Sequence, residues 1–354
     1  MDNSNKNYDF SYLSDLSFVI VFSMFFPFTI KHITKFVMGE IDNYKKLNEK
    51  KVFEIKDAPV VNVKEWLEEC DIKCNYMGFE KAINHFVNIV VEKIPRENLK
   101  NFNNNINSLY IFKVDKKILS KSFLGCYRPI DNTIDSIDEE YLYHELIHMM
   151  SSTCCDGVYY GGFRQSSSPL FGRGIDEGYT QVLTERYFKD KINGSHYVLE
   201  FYFASILEKI IGKEKMESLY FNCDLKGLID ELSVYSSEEE VKDFISDLDL
   251  WHECIYDNKC VTSAILKGVL TKKLREINLF VSRCYIAKLK ENYFNGNMDS
   301  EEVDSAFKTY VDNCLVRYDI KGFKFRKLIS ETQLYELKDK IFFEEDVLSR
   351  KMSM

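Results

Sequence analysis

The sequence predicts an α+β protein, with a mixed first half holding a small antiparallel sheet and a second half that is helical throughout. Three observations carry this. Alternating, β-former-rich segments are confined to residues 108–135. Apolar residues recur at helical spacing on both sides of that stretch. No proline follows Pro169, so nothing interrupts helices in the second half.

The elements follow in order. Residues 1–9 are polar, and residues 16–30 (LSFVIVFSMFFPFTI) form a strongly apolar run. The run is shorter than the about 20 residues a spanning helix needs. It contains Pro27, and no small-residue cleavage site follows it. It reads as a buried core element, with membrane association through residues 10–30 as the alternative. Residues 33–58 are charged and read as a helix and connector. Pro59 and Asn62 open a short helix through Glu69. Residues 78–91 place Phe79, Ala82, Phe86, Ile89 and Val90 at helical spacing. Pro95 ends that region, and residues 101–107 read as an Asn-rich loop. Residues 108–114 (SLYIFKV) read as a strand. Residues 125–135 read as a hairpin turning at Pro129–Asn132. Ser136 and Glu139 have capping-box spacing and should launch the next helix. Residues 154–174, with five glycines and three consecutive serines, read as a loop. Helices are expected over 175–188, 197–211, 213–221, 225–232 and 238–247, with amphipathic stretches from 261 onward. The expected division is an N-terminal helical segment (1–58), a catalytic lobe (59–192) and a helical C-terminal lobe (193–354).

Composition narrows the function. The 354 residues are 45% hydrophobic and 29% charged, as in a globular chain. A net charge of -9 without a basic run argues against a nucleic-acid partner. Ten cysteines are scattered without a CxxC pair, which suits reduced thiols in the cytoplasm and not a four-cysteine zinc site.

One motif carries chemistry. His144-Glu145-Leu146-Ile147-His148 on a helix sets two imidazoles one turn apart on one face, where they can share one zinc ion. Glu145 lies beside them and can act as general base towards the water such an ion activates. A catalytic zinc needs a third protein ligand and an open position. Two residues compete for that role. Cys154 could ligate as a thiolate, but Ser151 stands where a glycine would make the turn. Glu177, in Gly174-Ile175-Asp176-Glu177-Gly178-Tyr179-Thr180, lies on the next helix and is favoured. Gln181 and Glu185 continue its face and could accept the outer N–H of a ligating histidine. Oxyanion stabilisers are sought among Tyr159, Tyr160, Arg164, Arg173, His196 and His252. His32 and His85 read as structural.

The pairing of HExxH with Asp176-Glu177-Gly178-Tyr179-Thr180 resembles the gluzincin class of zinc metallopeptidases, which join that motif to a glutamate on a downstream helix. The resemblance spans roughly residues 108–190. Asp176 stands where the class commonly has Asn, and the gap from His148 to Glu177 is longer than its commonest spacing. Residues 210–232 also resemble a segment of bacterial proteins carrying this motif. The resemblance implies a zincin-like lobe, one Zn2+ held by His144, His148 and Glu177, Glu145 as general base, and a peptide or protein substrate. It further implies that the hairpin supplies an edge strand for extended substrate. Two other readings use the same residues: a zinc hydrolase acting on a non-peptide amide, and a non-catalytic zinc protein serving regulation or binding at a membrane.

Overall fold

The computed structural model describes residues 78–114, 124–155, 158–165, 171–192, 196–256, 264–314, 318–320, 323–325 and 328–352. The apolar run at 16–30, the segment 33–58 and the expected helix at 59–69 lie outside the described residues.

The first described helix, α1 (Glu80–Lys93), buries Ala82, Ile83, Phe86 and Val90, which confirms the helical spacing read there. Its neighbour α2 (Lys100–Ile106) corrects the loop expected at 101–107. Asparagine favours loops when its side chain competes for the local backbone. Here the side chains reach distant carbonyls instead. Asn101 Nδ2 donates to Phe221 O at 3.1 Å, and Asn105 Nδ2 donates to Met149 O and Ser152 O, both at 2.7 Å.

Strands β1 (Tyr110–Lys113), β2 (Gly125–Arg128) and β3 (Thr133–Ser136) form a sheet of order β1-β3-β2. β2 and β3 are the expected antiparallel hairpin. Asn132 takes a left-handed backbone (φ 50) at its turn, which Asn tolerates. β1, however, pairs parallel with β3, so this sheet is mixed and not purely antiparallel. Ile111 and Ile134 pair in register and both are fully buried, so β1 seats its one core residue on the far side of β3 from β2.

After α3 (Glu139–Met150) comes a second sheet, β4 (Ser152–Cys155), β5 (Val158–Gly161) and β6 (Arg164–Gln165), antiparallel in that order. A loop was expected here. The glycines and serines sit at the bends, while Thr153 pairs with Tyr160 and Cys154 with Tyr159 between them. A purely antiparallel sheet therefore exists, but after the motif helix.

The helical half comprises α4 (Arg173–Phe188), α5 (Val198–Ile211), α6 (Lys213–Phe221), α7 (Leu225–Ser233), α8 (Glu238–Tyr256), α9 (Ala264–Phe294), α10 (Ser300–Cys314) and α11 (Glu331–Met352). It is not helical throughout, because β7 (Tyr318–Ile320) and β8 (Phe323–Phe325) form an antiparallel hairpin between α10 and α11. The architecture is α+β and mostly helical. One continuous apolar cluster runs from Phe79, just before α1, to Leu334 on α11. α4 is central to it, packing against α3, α5 and α8. A polar brace joins α4 to α5 and α6: Arg186 pairs with Glu208 and Glu217, and Tyr179 and Tyr187 donate to those two carboxylates at 2.7 and 2.9 Å. Among the described residues, no helix is long and apolar enough to cross a membrane.

Candidate metal centre

The motif helix starts two residues later than the capping box implied. Asp138, not Ser136, is the N-cap, and its carboxylate accepts from Glu140 N at 3.0 Å. Ser136 closes β3 and donates to Asp138 O at 2.8 Å. Glu139 and Glu140 in the first turn suit the positive end of the helix. From that start, His144 and His148 fall on one buried face of α3.

The opposing residue comes from α4. Asp249 on α8 accepts from Gly172 N at 2.8 Å and Gly174 N at 2.7 Å, which satisfies two donors at the start of α4. Gly178 lets α5 press against α4, because a Cβ there would lie 2.5 Å from the backbone carbonyl carbon of Glu200. Glu177, beside that contact, is held facing the two histidines.

His144 Nε2 and His148 Nε2 are 3.1 Å apart, and Glu177 Oε2 lies 3.2 Å from the first and 3.3 Å from the second. A tetrahedral ion with ligands at about 2.0–2.1 Å separates its donors by about 3.3–3.4 Å. The triangle of donors thus matches one ion, and the N, N, O set suits zinc-like dications. Electrostatics point the same way. Burial favours a neutral His148, yet the Glu177 and Asp176 carboxylates outweigh it and hold the ring well above its usual pKa. Burial likewise opposes ionisation of Glu177, but His148 and His144 keep its carboxyl well below the usual range. The cluster draws positive charge to the point where the three donors converge. It is the one group of this kind among the described residues, and Cys154, exposed on β4, is not part of it.

Glu145 is only partly buried and projects towards the edge of the first sheet. Tyr127 N–H on β2 donates to its Oε2 at 2.8 Å. A Cβ at Gly125 would come within 2.9 Å of Glu145 Cγ, so β2 lies directly on this side chain. Burial pushes the Glu145 carboxyl up, and Glu177 adds to that, against His144, His148 and the Tyr127 N–H.

The remaining expected residues sit elsewhere. Gln181 Nε2 donates to Glu185 Oε1 at 3.1 Å, so these two serve each other and not a histidine. The outer nitrogen of His148 faces Asp176 and Thr180 instead, and that of His144 is buried without a hydrogen-bond partner among the described residues. Tyr160 is buried on β5, and Arg164 lies over the Tyr159 ring. His196, exposed, packs on Tyr141. His252 is buried and bonded to Glu200 at 3.1 Å, with Tyr197 between it and His144.

Tyr197 is the functional candidate that the sequence reading passed over. Its ring centroid is 5.3 Å from that of His144, and its hydroxyl makes no hydrogen bond among the described residues. Burial, then the Glu177 and Glu145 carboxylates, hold the phenol well above its usual pKa, so it stays an O–H donor. Tyr197 opens a stretch with helical spacing, and no local signal distinguishes it. Asp176 did have a signal, an acid directly before Glu177 with Thr180 one turn later. Comparison with protein families, curated proteins and solved structures returned no match.

Proposed function

We propose that the chain is a zinc-dependent hydrolase of the gluzincin type that cleaves peptide bonds, with His144, His148 and Glu177 as ligands of one Zn2+ and Glu145 as general base. The observation that carries the reading is the triangle of donors at 3.1–3.3 Å with a carboxylate beside it on the same helix. When bound, the ion supplies Lewis acidity towards a substrate carbonyl and lowers the pKa of water.

The chain's own residues account for the rest. Tyr127 N–H anchors one oxygen of Glu145, which leaves Oε1 to take a proton and return it to the departing amine. Burial raises the basicity of that carboxylate, as a general base working near neutral pH requires. Tyr197 O–H is available to donate to an oxyanion forming on the His144 side. β2 is an edge strand in the order β1-β3-β2, and its Tyr127 N–H points away from β3 towards Glu145. An extended peptide laid along that edge would bring its backbone to the base. The reading includes a cytoplasmic setting, which the thiols of Cys126, Cys223 and Cys284 support.

The test is cleavage of a peptide library by purified protein, with and without a chelator, alongside Glu145→Gln. Glu145→Gln should keep its zinc and lose turnover by roughly 10²–10⁴-fold. Retained turnover would refute the assignment of the base. Zinc uptake without cleavage of any peptide would favour the regulatory reading.

A further inference from the structure

A neutral imidazole carries one N–H, so a histidine that ligates through Nε2 must hold its proton on Nδ1. Two oxygens face Nδ1 of His148: Asp176 Oδ2 at 3.4 Å and Thr180 Oγ1 at 3.3 Å. Thr180 Oγ1 is within hydrogen-bonding distance of the ring nitrogen, and the Asp176 carboxylate lies beside it at ion-pair distance. The single hydroxyl hydrogen of Thr180 is directed at Asp176 O, 2.7 Å away, and Tyr220 O–H can donate to the same hydroxyl oxygen. The Asp176 side chain is fully buried, and its Oδ1 accepts from Phe163 N at 3.1 Å. Its Oδ2 is buried with no hydrogen-bond partner among the described residues, and the His148 ring nitrogen lies 3.4 Å from it. The β5–β6 turn presses on this carboxylate, since a Cβ on Gly162 would overlap Asp176 Oδ1.

We propose that Asp176, with Thr180, is a positioning residue that fixes His148 as the Nδ1–H tautomer and so aims its Nε2 lone pair at His144 and Glu177. This rests on the metal-centre reading above. The site demands an acceptor on both sides, a backbone N–H on one and the imidazole N–H on the other. A carboxylate meets both. A carboxamide of the same shape offers one acceptor and one donor. It either turns a donor on Phe163 N–H or drives His148 to Nε2–H, with no lone pair left for a metal. Asp176 therefore differs from an ordinary acid at the start of a helix, whose role an amide could share.

The experiment compares wild type, Asp176→Asn and Thr180→Val by zinc affinity in competition with a chromophoric chelator. It also reads the His148 ring N–H signal in 15N-labelled, zinc-loaded protein, and the melting temperature in chelator. Wild type should show a slowly exchanging Nδ1–H. Asp176→Asn should bind zinc about 10- to 100-fold more weakly, the usual effect of losing such a partner, and lose or shift that signal. Thr180→Val should weaken binding less. Affinity in Asp176→Asn equal to wild type, or no Nδ1–H in the loaded wild type, overturns the proposal. If Asp176→Asn does not fold, unchanged zinc affinity in Thr180→Val, or a wild-type Nδ1–H that exchanges freely with solvent, overturns the proposal. Failure of wild type to take up zinc at all overturns the metal-centre reading itself, a result distinct from equal affinities.

Discussion

Gly178→Ala is the sharpest probe of how Glu177, the proposed third ligand, is held. The new Cβ would lie 2.5 Å from the carbonyl carbon of Glu200 and closer to its oxygen. Ordinary contact between such atoms is about 3.5 Å, so α4 and α5 must separate by about 1 Å. Both obstructing atoms are backbone, and no rotamer change relieves them. Overpacking of this kind costs about 3 kcal/mol, the upper part of its usual range. Alanine returns about 1 kcal/mol through better helix propensity. The expected net loss is therefore about 2 kcal/mol, measured by urea denaturation of the metal-free protein. A second effect falls on the metal. Glu177 is the adjacent residue, and metal–ligand distances fall within about 0.2 Å of their standard values. Zinc affinity in chelator competition should fall with the stability. A Gly178→Ala protein as stable as wild type, with unchanged affinity, would refute the close α4–α5 contact as the device that sets Glu177.

Three further outcomes are expected. Tyr197→Phe should lower kcat by roughly 10²-fold with little change in KM or in zinc content, as loss of one oxyanion donor does; an equal loss in KM alone would remove it from the transition state. Arg186→Met leaves Glu208 and Glu217 without their cation, and should cost about 3–5 kcal/mol of stability by denaturant titration; a loss under about 1 kcal/mol would show that the brace is solvated. Burial raises the Asp249 carboxyl to about 6 from 3.8. Its folded-state pKa thus exceeds its unfolded one, so its stabilising share is complete below about pH 4 and lost as pH rises through about 6. The stability difference between wild type and Asp249→Asn should shift across that window, and a difference independent of pH would refute the burial.

Local sequence made much of the site legible. His144 and His148 share a helix face because four residues make about one turn, whatever surrounds them. Residues 175–188 and 213–221 were readable as helices for the same reason, and α4 and α6 cover them. The hairpin at 125–135 was readable from its turn residues. The misreadings share a cause. Asn101 and Asn105 looked like loop residues until distant carbonyls claimed their side chains. Residues 154–174 read as a loop because turn residues outnumber the short strand segments among them. Ser136 had capping-box spacing, but pairing with Gly125 kept it in β3 and passed the cap to Asp138.

The sequence by itself determined the donor types, the spacing of the two histidines and the helix that carries Glu177, because these follow from residue chemistry and the repeat of one helix. Tertiary structure alone decided that Glu177 and not Cys154 meets those histidines, that Asp176 and Thr180 and not Gln181 and Glu185 stand behind His148, and that Tyr127 and Tyr197 flank Glu145 and His144. Those pairings join residues far apart in the chain. They depend on how closely α4 packs against α5 and where β2 crosses α3, distances that no local periodicity encodes.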